Sequence, residues 1–324
     1  MTAAAASEVA RDISVVDLME RGMRQVTAGY YIAAPRPAIV DVGGVPSVPV
    51  WLAAIRSFGV RPSDVAYIIV THIHLDHAAG AGHMLAHTPD ARVVVHPRGA
   101  RHLVDPSRLI DGARSVFGAH LEEYFGVPEP LPESRLHVVE DGDTLDLGGG
   151  HRLCFIDAPG HARHQHMVFD GGARALLSGD ELGERLPDIA DDYVIPDTAP
   201  NQFDPEAMLR SAQRLRELRP EAVLFSHFGR YPGPYGLLAD RLTDVVPAVA
   251  ALGRINGRRA SPQEITTALI ALVQRDLAQR AIPWTAQIRG LLEERLGISA
   301  QGIADYHARR ATDRAGGSTG SSNA

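Results

Sequence analysis

Along the first half of the chain, apolar residues alternate with polar ones or gather in short runs cut by glycine and proline. On this pattern residues 13–16, 30–33 and 38–42 read as strands. Residues 48–58 carry helical spacing, and Gly59 suits the cap that closes such a helix. Residues 65–70 form a nearly unbroken apolar run, as expected of a strand buried on both faces. That run ends directly in Thr71-His72-Ile73-His74-Leu75-Asp76-His77. A helix over 79–87 and a strand over 92–95 complete a second strand–helix unit. Between 136 and 179 the pattern turns to hairpins, with strands over 136–139, 144–147, 152–157, 167–170 and 173–177 separated by Asp-Gly and Gly-Gly turns. Asp204-Pro205-Glu206 then opens a helix with Met208, Ala212, Leu215 and Leu218 on one face. The next apolar strand, 222–225, delivers Ser226-His227.

Two stretches read as additions to this alternating framework. Residues 105–135 carry a helix and a proline-rich segment. Residues 240–311 are predominantly helical, and Ser261-Pro262-Gln263-Glu264 is a capping box opening a helix that runs to about Leu277. The Gly/Pro-rich stretch 229–236 is the junction. The last residues, 316–324, are rich in Gly, Ser and Asn and are expected to be disordered. The expected division is therefore a main domain over 1–236, a helical extension over 237–312 and a tail over 313–324.

Composition narrows the function classes. With 45% hydrophobic and 22% charged residues the chain is an ordinary globular protein, large enough to fold on its core alone. A net charge of -7 argues against a nucleic-acid partner. The single cysteine, Cys154, excludes an intrachain disulfide and, set in an apolar run, reads as a buried structural thiol. No run approaches the ~20 apolar residues that span a bilayer. The first ten residues lack the basic and apolar regions of a secretion signal. A cytoplasmic location is the expectation.

The chemistry lies at the strand ends. His72, His74, Asp76 and His77 pack four potential ligands into six positions, a spacing that a loop at a strand end can converge on one place. Three imidazoles and a carboxylate suit zinc or another borderline divalent ion. Pro159-Gly160-His161, Ser178-Gly179-Asp180 and Ser226-His227 each follow another apolar strand. In layered α/β folds the strand ends carry the site.

This order of motifs resembles the metallo-β-lactamase superfamily, over roughly residues 13–229. The resemblance implies a four-layer αβ/βα sandwich with the site at one edge, here carrying a helical C-terminal extension. It further implies that His72, His74 and His161 bind one metal, that Asp76, His77 and His227 bind a second, and that Asp180 bridges both. Asp41, in Ile39-Val40-Asp41-Val42-Gly43, matches an early family motif that supports the site. The implied cofactor is a pair of divalent ions, zinc first, with manganese or iron as alternatives. Such a pair holds a bridging water of lowered pKa. Asp76 and Asp180 are the candidate catalytic carboxylates, and Asp76, Asp180 or a tyrosine from a flanking loop would serve the leaving group.

The expected activity is hydrolysis of a small ester, thioester or lactone. The chain departs from the glyoxalase II pattern at Ala162, His164 and Gln165, and from the lactonase pattern at Gly183, where many lactonases carry tyrosine. Iron redox chemistry on the same fold is the alternative, although those branches typically replace one histidine by Glu and this chain keeps His74 and His161. A nuclease would need a basic, aromatic-interleaved surface that the sequence lacks. A silent binding module would have lost ligands. His164 and His166 read as structural, with a supporting or substrate role as the alternative. Arg163 is a candidate contact for an anionic substrate. His83, His87, His96, His102, His120, His137, His151 and His307 read as ordinary. The two additions are expected to wall a small-molecule pocket, through Leu109, Ile110, Val116, Phe117, Leu121, Tyr124 and Phe125 in the first and Leu269, Leu272, Trp284, Ile288 and Leu291 in the second. The alternative is that they pack on the core or join two copies of the chain.

Overall fold

The computed structural model describes residues 6–317. Its first half runs β1 (Ala6–Ala10), β2 (Ile13–Asp17), β3 (Ala28–Ile32), β4 (Ala38–Val40), α1 (Val48–Ser57), β5 (Tyr67–Ile69), α2 (Leu75–Ala78), α3 (Ala81–Leu85), β6 (Arg92–Val95), α4 (Pro97–Val104), α5 (Ser107–Phe117), α6 (Leu121–Phe125) and β7 (Leu136–Val138). The second runs β8 (Thr144–Gly148), β9 (His151–Asp157), β10 (His166–Asp170), β11 (Ala175–Leu177), β12 (Glu184–Arg185), β13 (Val194–Ile195), α7 (Pro205–Leu218), β14 (Ala222–Phe225), β15 (Gly229–Arg230), α8 (Tyr235–Ala251), β16 (Arg254–Ile255), β17 (Arg258–Arg259), α9 (Pro262–Gln279) and α10 (Ala286–Gly317). Strands β1 to β7 form one sheet in sequence order. The other large sheet has the order β15-β14-β11-β10-β9-β8.

Side-chain alternation builds the layers, because successive residues of a strand face opposite sides. Val40, Ile69 and Val94 of the first sheet face Phe155, Val168, Leu177 and Leu224 of the second in the central core. Their neighbours Ile39, Ile68 and Val93 pack against Trp51, Ile55 and Met84 of α1 and α3. On the far side Ile156, Leu176, Val223 and Phe225 pack against Met208, Leu215, Leu242, Leu269 and Leu292 of α7 to α10. This is the αβ/βα sandwich of the metallo-β-lactamase fold. The helices after 236 share one core with α7 and the second sheet, so they complete the outer layer. The last helix continues to Gly317, past the expected start of the tail at 313. Residues 318–324 lie outside the described residues. Among those described, no helix is long and apolar enough to cross a membrane.

Local signals act where the sequence places them. Asp204 caps α7 by accepting the Ala207 N–H at 2.9 Å, and Ser261 and Glu264 cap α9 reciprocally. The helix expected over 79–87 instead begins at Leu75 and is split between α2 and α3. At the split a side chain on Gly80 would stand 2.9 Å from the Gly44 carbonyl oxygen, so glycine lets this turn pack closely against the loop before α1.

Candidate metal centre

Strand direction gathers the site. β4 and β5 are parallel neighbours, so Asp41 and the loop beginning at Thr71 emerge together. β9 and β11 both run antiparallel to β10, and β11 runs parallel to β14. His161, Asp180 and His227 therefore leave the second sheet at one edge as well. His72 and His74 lie in the loop, whereas Asp76 and His77 sit in the first turn of α2.

The side chains converge in two groups that share Asp180. His72 Nε2 lies 2.9 Å from His74 Nδ1, which lies 3.0 Å from His161 Nε2. Asp76 Oδ2 lies 3.2 Å from His77 Nε2 and 3.3 Å from His227 Nε2. Asp180 Oδ2 stands 3.5 and 3.6 Å from His72 and His161, and 3.1 and 3.6 Å from His77 and His227. Ligand atoms held 2.0–2.1 Å from one tetrahedral ion stand roughly 3.3 Å apart, so both groups have suitable spacing. Among the described residues His77 Nε2 and Asp180 Oδ1 are buried with no hydrogen-bond partner, a costly arrangement unless a cation satisfies them. The cluster fits a dinuclear metal site.

Protonation states follow from the partners. His227 Nδ1 lies 2.7 Å from the Val26 carbonyl, which can only accept, so Nδ1 carries a proton and Nε2 is the atom that faces Asp76 and Asp180. Burial opposes charge on the ring, but those two carboxylates outweigh it and hold it well above the usual histidine range. His77 Nδ1 is held in the same way by Asp41 Oδ2 at 3.0 Å. Asp41 also accepts the Thr71 N–H at 2.8 Å and the Ser226 hydroxyl at 2.7 Å, tying the first ligand loop to the last. Burial, reinforced by the neighbouring imidazoles, lowers His72 and takes His74 down to about 4, so both are neutral donors. Burial opposes charge on His161 as well, but Asp197 and Asp180 outweigh it and lift that ring to about 9.

Three acidic residues that the sequence did not flag surround this set. Glu181 is fully buried. Its carboxylate accepts the backbone N–H of Gly160 and His161, each at 2.9 Å, and the Ser211 hydroxyl at 2.6 Å. Burial pushes it up to about 7 despite those bonds. Asp197 Oδ1 faces His161 Nδ1 at 3.5 Å. Glu20 stands at the cavity wall and accepts from Thr27 Oγ1.

A cavity of about 460 Å3 opens over the cluster, with His74, Asp76, His161, Asp180 and His227 in its lining. Leu109, Val116, Phe117 and Phe125 line it from the first addition and Leu291 from the second. Ile110, Leu121, Tyr124, Trp284 and Ile288 do not. Leu269 and Leu272 line a separate cavity of about 280 Å3 instead. His164 and His102, expected to be ordinary or structural, line the main cavity, and Arg163 does not. His164 Nδ1 accepts the Ile73 N–H at 3.4 Å, behind the ligand loop. His166 is buried against Phe155, with a ring separation of 5.0 Å.

The sequence profile of the metallo-beta-lactamase superfamily matches residues 22–227, and the chain belongs to that superfamily. It is similar to a metallo-beta-lactamase fold-containing protein of Sulfurisphaera tokodaii, at 32% identity over 166 residues, which cover 50% of this chain and 60% of that one. It is also similar to an anaerobic nitric oxide reductase flavorubredoxin of Salmonella arizonae, at 31% identity over 39% of this chain and 22% of the other. The match thus spans under two thirds of either relative. Among solved structures, a beta-lactamase domain protein from Burkholderia ambifaria shares the fold with a TM-score of 0.67 and 16% identity, covering 96% of this chain and 89% of that one. An archaeal superfamily protein from Sulfolobus tokodaii does so with a TM-score of 0.61 and 22% identity, over 86% of this chain and 93% of the other.

Proposed function

We propose that this protein is a dinuclear metal-dependent hydrolase of a small ester, thioester or lactone. The observation that carries this reading is the position of Asp180, whose one carboxylate oxygen lies against both histidine groups in the lining of the main cavity. His72, His74 and His161 would hold one ion and Asp76, His77 and His227 the other, with Asp180 facing both groups. Two bound divalent ions supply a Lewis acid for the substrate carbonyl and a water acidic enough to attack near neutrality. The protein's own contribution is to fix tautomers through Asp41 and Val26 and to hold the His161 turn through Glu181. Asp76 is better placed than Asp180 to take the proton of the attacking water and pass it to the leaving group, because its side chain is 23% exposed against 2%. Burial opposes its charge, but His77 and His227 keep it ionised and so able to accept that proton. No tyrosine lines the cavity among the described residues. The test is a screen of esters, thioesters and lactones with zinc, manganese or iron restored to metal-stripped protein. Turnover that needs metal supports the reading, and its absence across the screen rejects it.

The flavorubredoxin relatives favour a second reading, iron redox chemistry at the same ligands. Oxygen uptake by reduced, iron-loaded protein that hydrolyses nothing would select it.

A further inference from the structure

One stretch of the cavity wall is apolar, with Leu109, Ala113, Val116 and Phe117 of α5 and Leu291 and Ile298 of α10 in its lining. Gly112 lies inside α5 and Gly290 inside α10, and both line the cavity. A glycine weakens a helix relative to alanine, and it leaves room where a side chain would stand. Three other helix glycines meet a neighbour, while Gly236 and Gly297, outside the cavity lining, meet none among the described residues. A Cβ on Gly82 would press on Glu129, one on Gly99 on Ile73, and one on Gly302 on the Thr198 carbonyl oxygen. At Gly112 and Gly290 an added Cβ meets nothing within 4 Å among the described residues, and neither has a left-handed backbone. Both are exposed and line the cavity, so a side chain added at either would stand at the edge of that lining. Met23 and Val116, 43% and 39% exposed, lie in the same lining, apolar surface left open to water. Arg21 closes one side of the mouth. Its guanidinium stacks on Tyr124 of α6 at 3.8 Å and pairs with Glu294 of α10 at 2.9 Å.

We propose that the hydrolysable group of the substrate is joined to an unbranched apolar chain that leaves the site between α5 and α10, and that Gly112 and Gly290 set the width of this exit. The proposal rests on the hydrolytic reading for its substrate class. The chain would lie along Leu109, Val116 and Phe117, where each added methylene is taken out of water.

The test uses p-nitrophenyl esters of straight-chain acids, from acetyl to decanoyl, with the zinc-loaded full-length protein. While the added carbons fall within the cavity, kcat/KM is expected to rise about fourfold per methylene. Gly112→Leu and Gly290→Leu should each cut the decanoyl-to-acetyl ratio of kcat/KM by about tenfold or more. Both changes raise helix propensity, and thermal melting checks that they fold. Gly297→Leu, on α10 with open space around it but outside the cavity lining, serves as the control and should keep the ratio of the unaltered protein. Calorimetric binding of octanoate and decanoate to the same proteins needs no turnover. If no ester is hydrolysed but carboxylate affinity rises with length and falls in the two cavity variants, the hydrolase reading fails and the chain site stands. A flat length profile in both assays, or cavity variants that match the control, overturns the inference.

Discussion

Asp41 Oδ2 lies 3.0 Å from His77 Nδ1, and both side chains are completely buried. Asp41 also reaches Thr71 and Ser226, so one carboxylate fixes the tautomer of His77 and locks the two loops that flank it. Partners of this kind behind a ligand are worth about 10–100-fold in metal affinity. Asp41→Asn replaces an acceptor oxygen with a donor, and is expected to weaken the ion at Asp76, His77 and His227 by that factor. The ion at His72, His74 and His161 should be less affected. Metal competition with a chromophoric chelator resolves the two steps, and equal loss at both would contradict this division.

Glu181 should show the opposite preference. It holds the backbone of Gly160 and His161, and Ser211 fixes its other oxygen. Glu181→Ala leaves two buried N–H groups without an acceptor and should chiefly weaken the ion bound through His161. Ser211→Ala, which removes one bond and keeps the carboxylate, should act in the same direction with a smaller effect. If Glu181→Ala folds and binds both ions as before, the positioning role is wrong.

How far these features were legible from the sequence depends on where their causes lie. The seven candidate ligands stood out because each follows an apolar strand and four crowd one short loop, so the pattern is local. Glu181, Asp197 and Glu20 carry no such pattern. Glu181 reaches Gly160 and Ser211 across distances of 21 and 30 residues, and its role exists only once β9, β11 and α7 have packed. The strands were readable because period-two alternation reports one buried face and an unbroken apolar run reports two. The walls of the cavity were less so. Helical periodicity in α9 marks Leu269 as an inward residue, but not that its neighbours are α8 and α10 instead of the metal site.

Phe117 and Tyr124 were equally plausible wall residues, and the structure separates them. Phe117 lines the cavity, while Tyr124 carries the Arg21 guanidinium on its ring. Phe117→Ala should change KM or substrate preference with metal content and melting temperature retained. Tyr124→Ala should act more weakly, through Arg21. A Phe117→Ala enzyme with unaltered KM for every substrate would exclude the wall role.

The shared carboxylate is the centre of the account. The most direct measurement is the metal stoichiometry of the unaltered protein and of Asp180→Ala, by elemental analysis after stripping with chelator and reloading with zinc. The unaltered chain is expected to take up two ions, and chelation to abolish turnover. Asp180→Ala should hold both ions more weakly and lose turnover even at saturating metal. One ion or none in the unaltered chain, or near-normal turnover by Asp180→Ala, would contradict it.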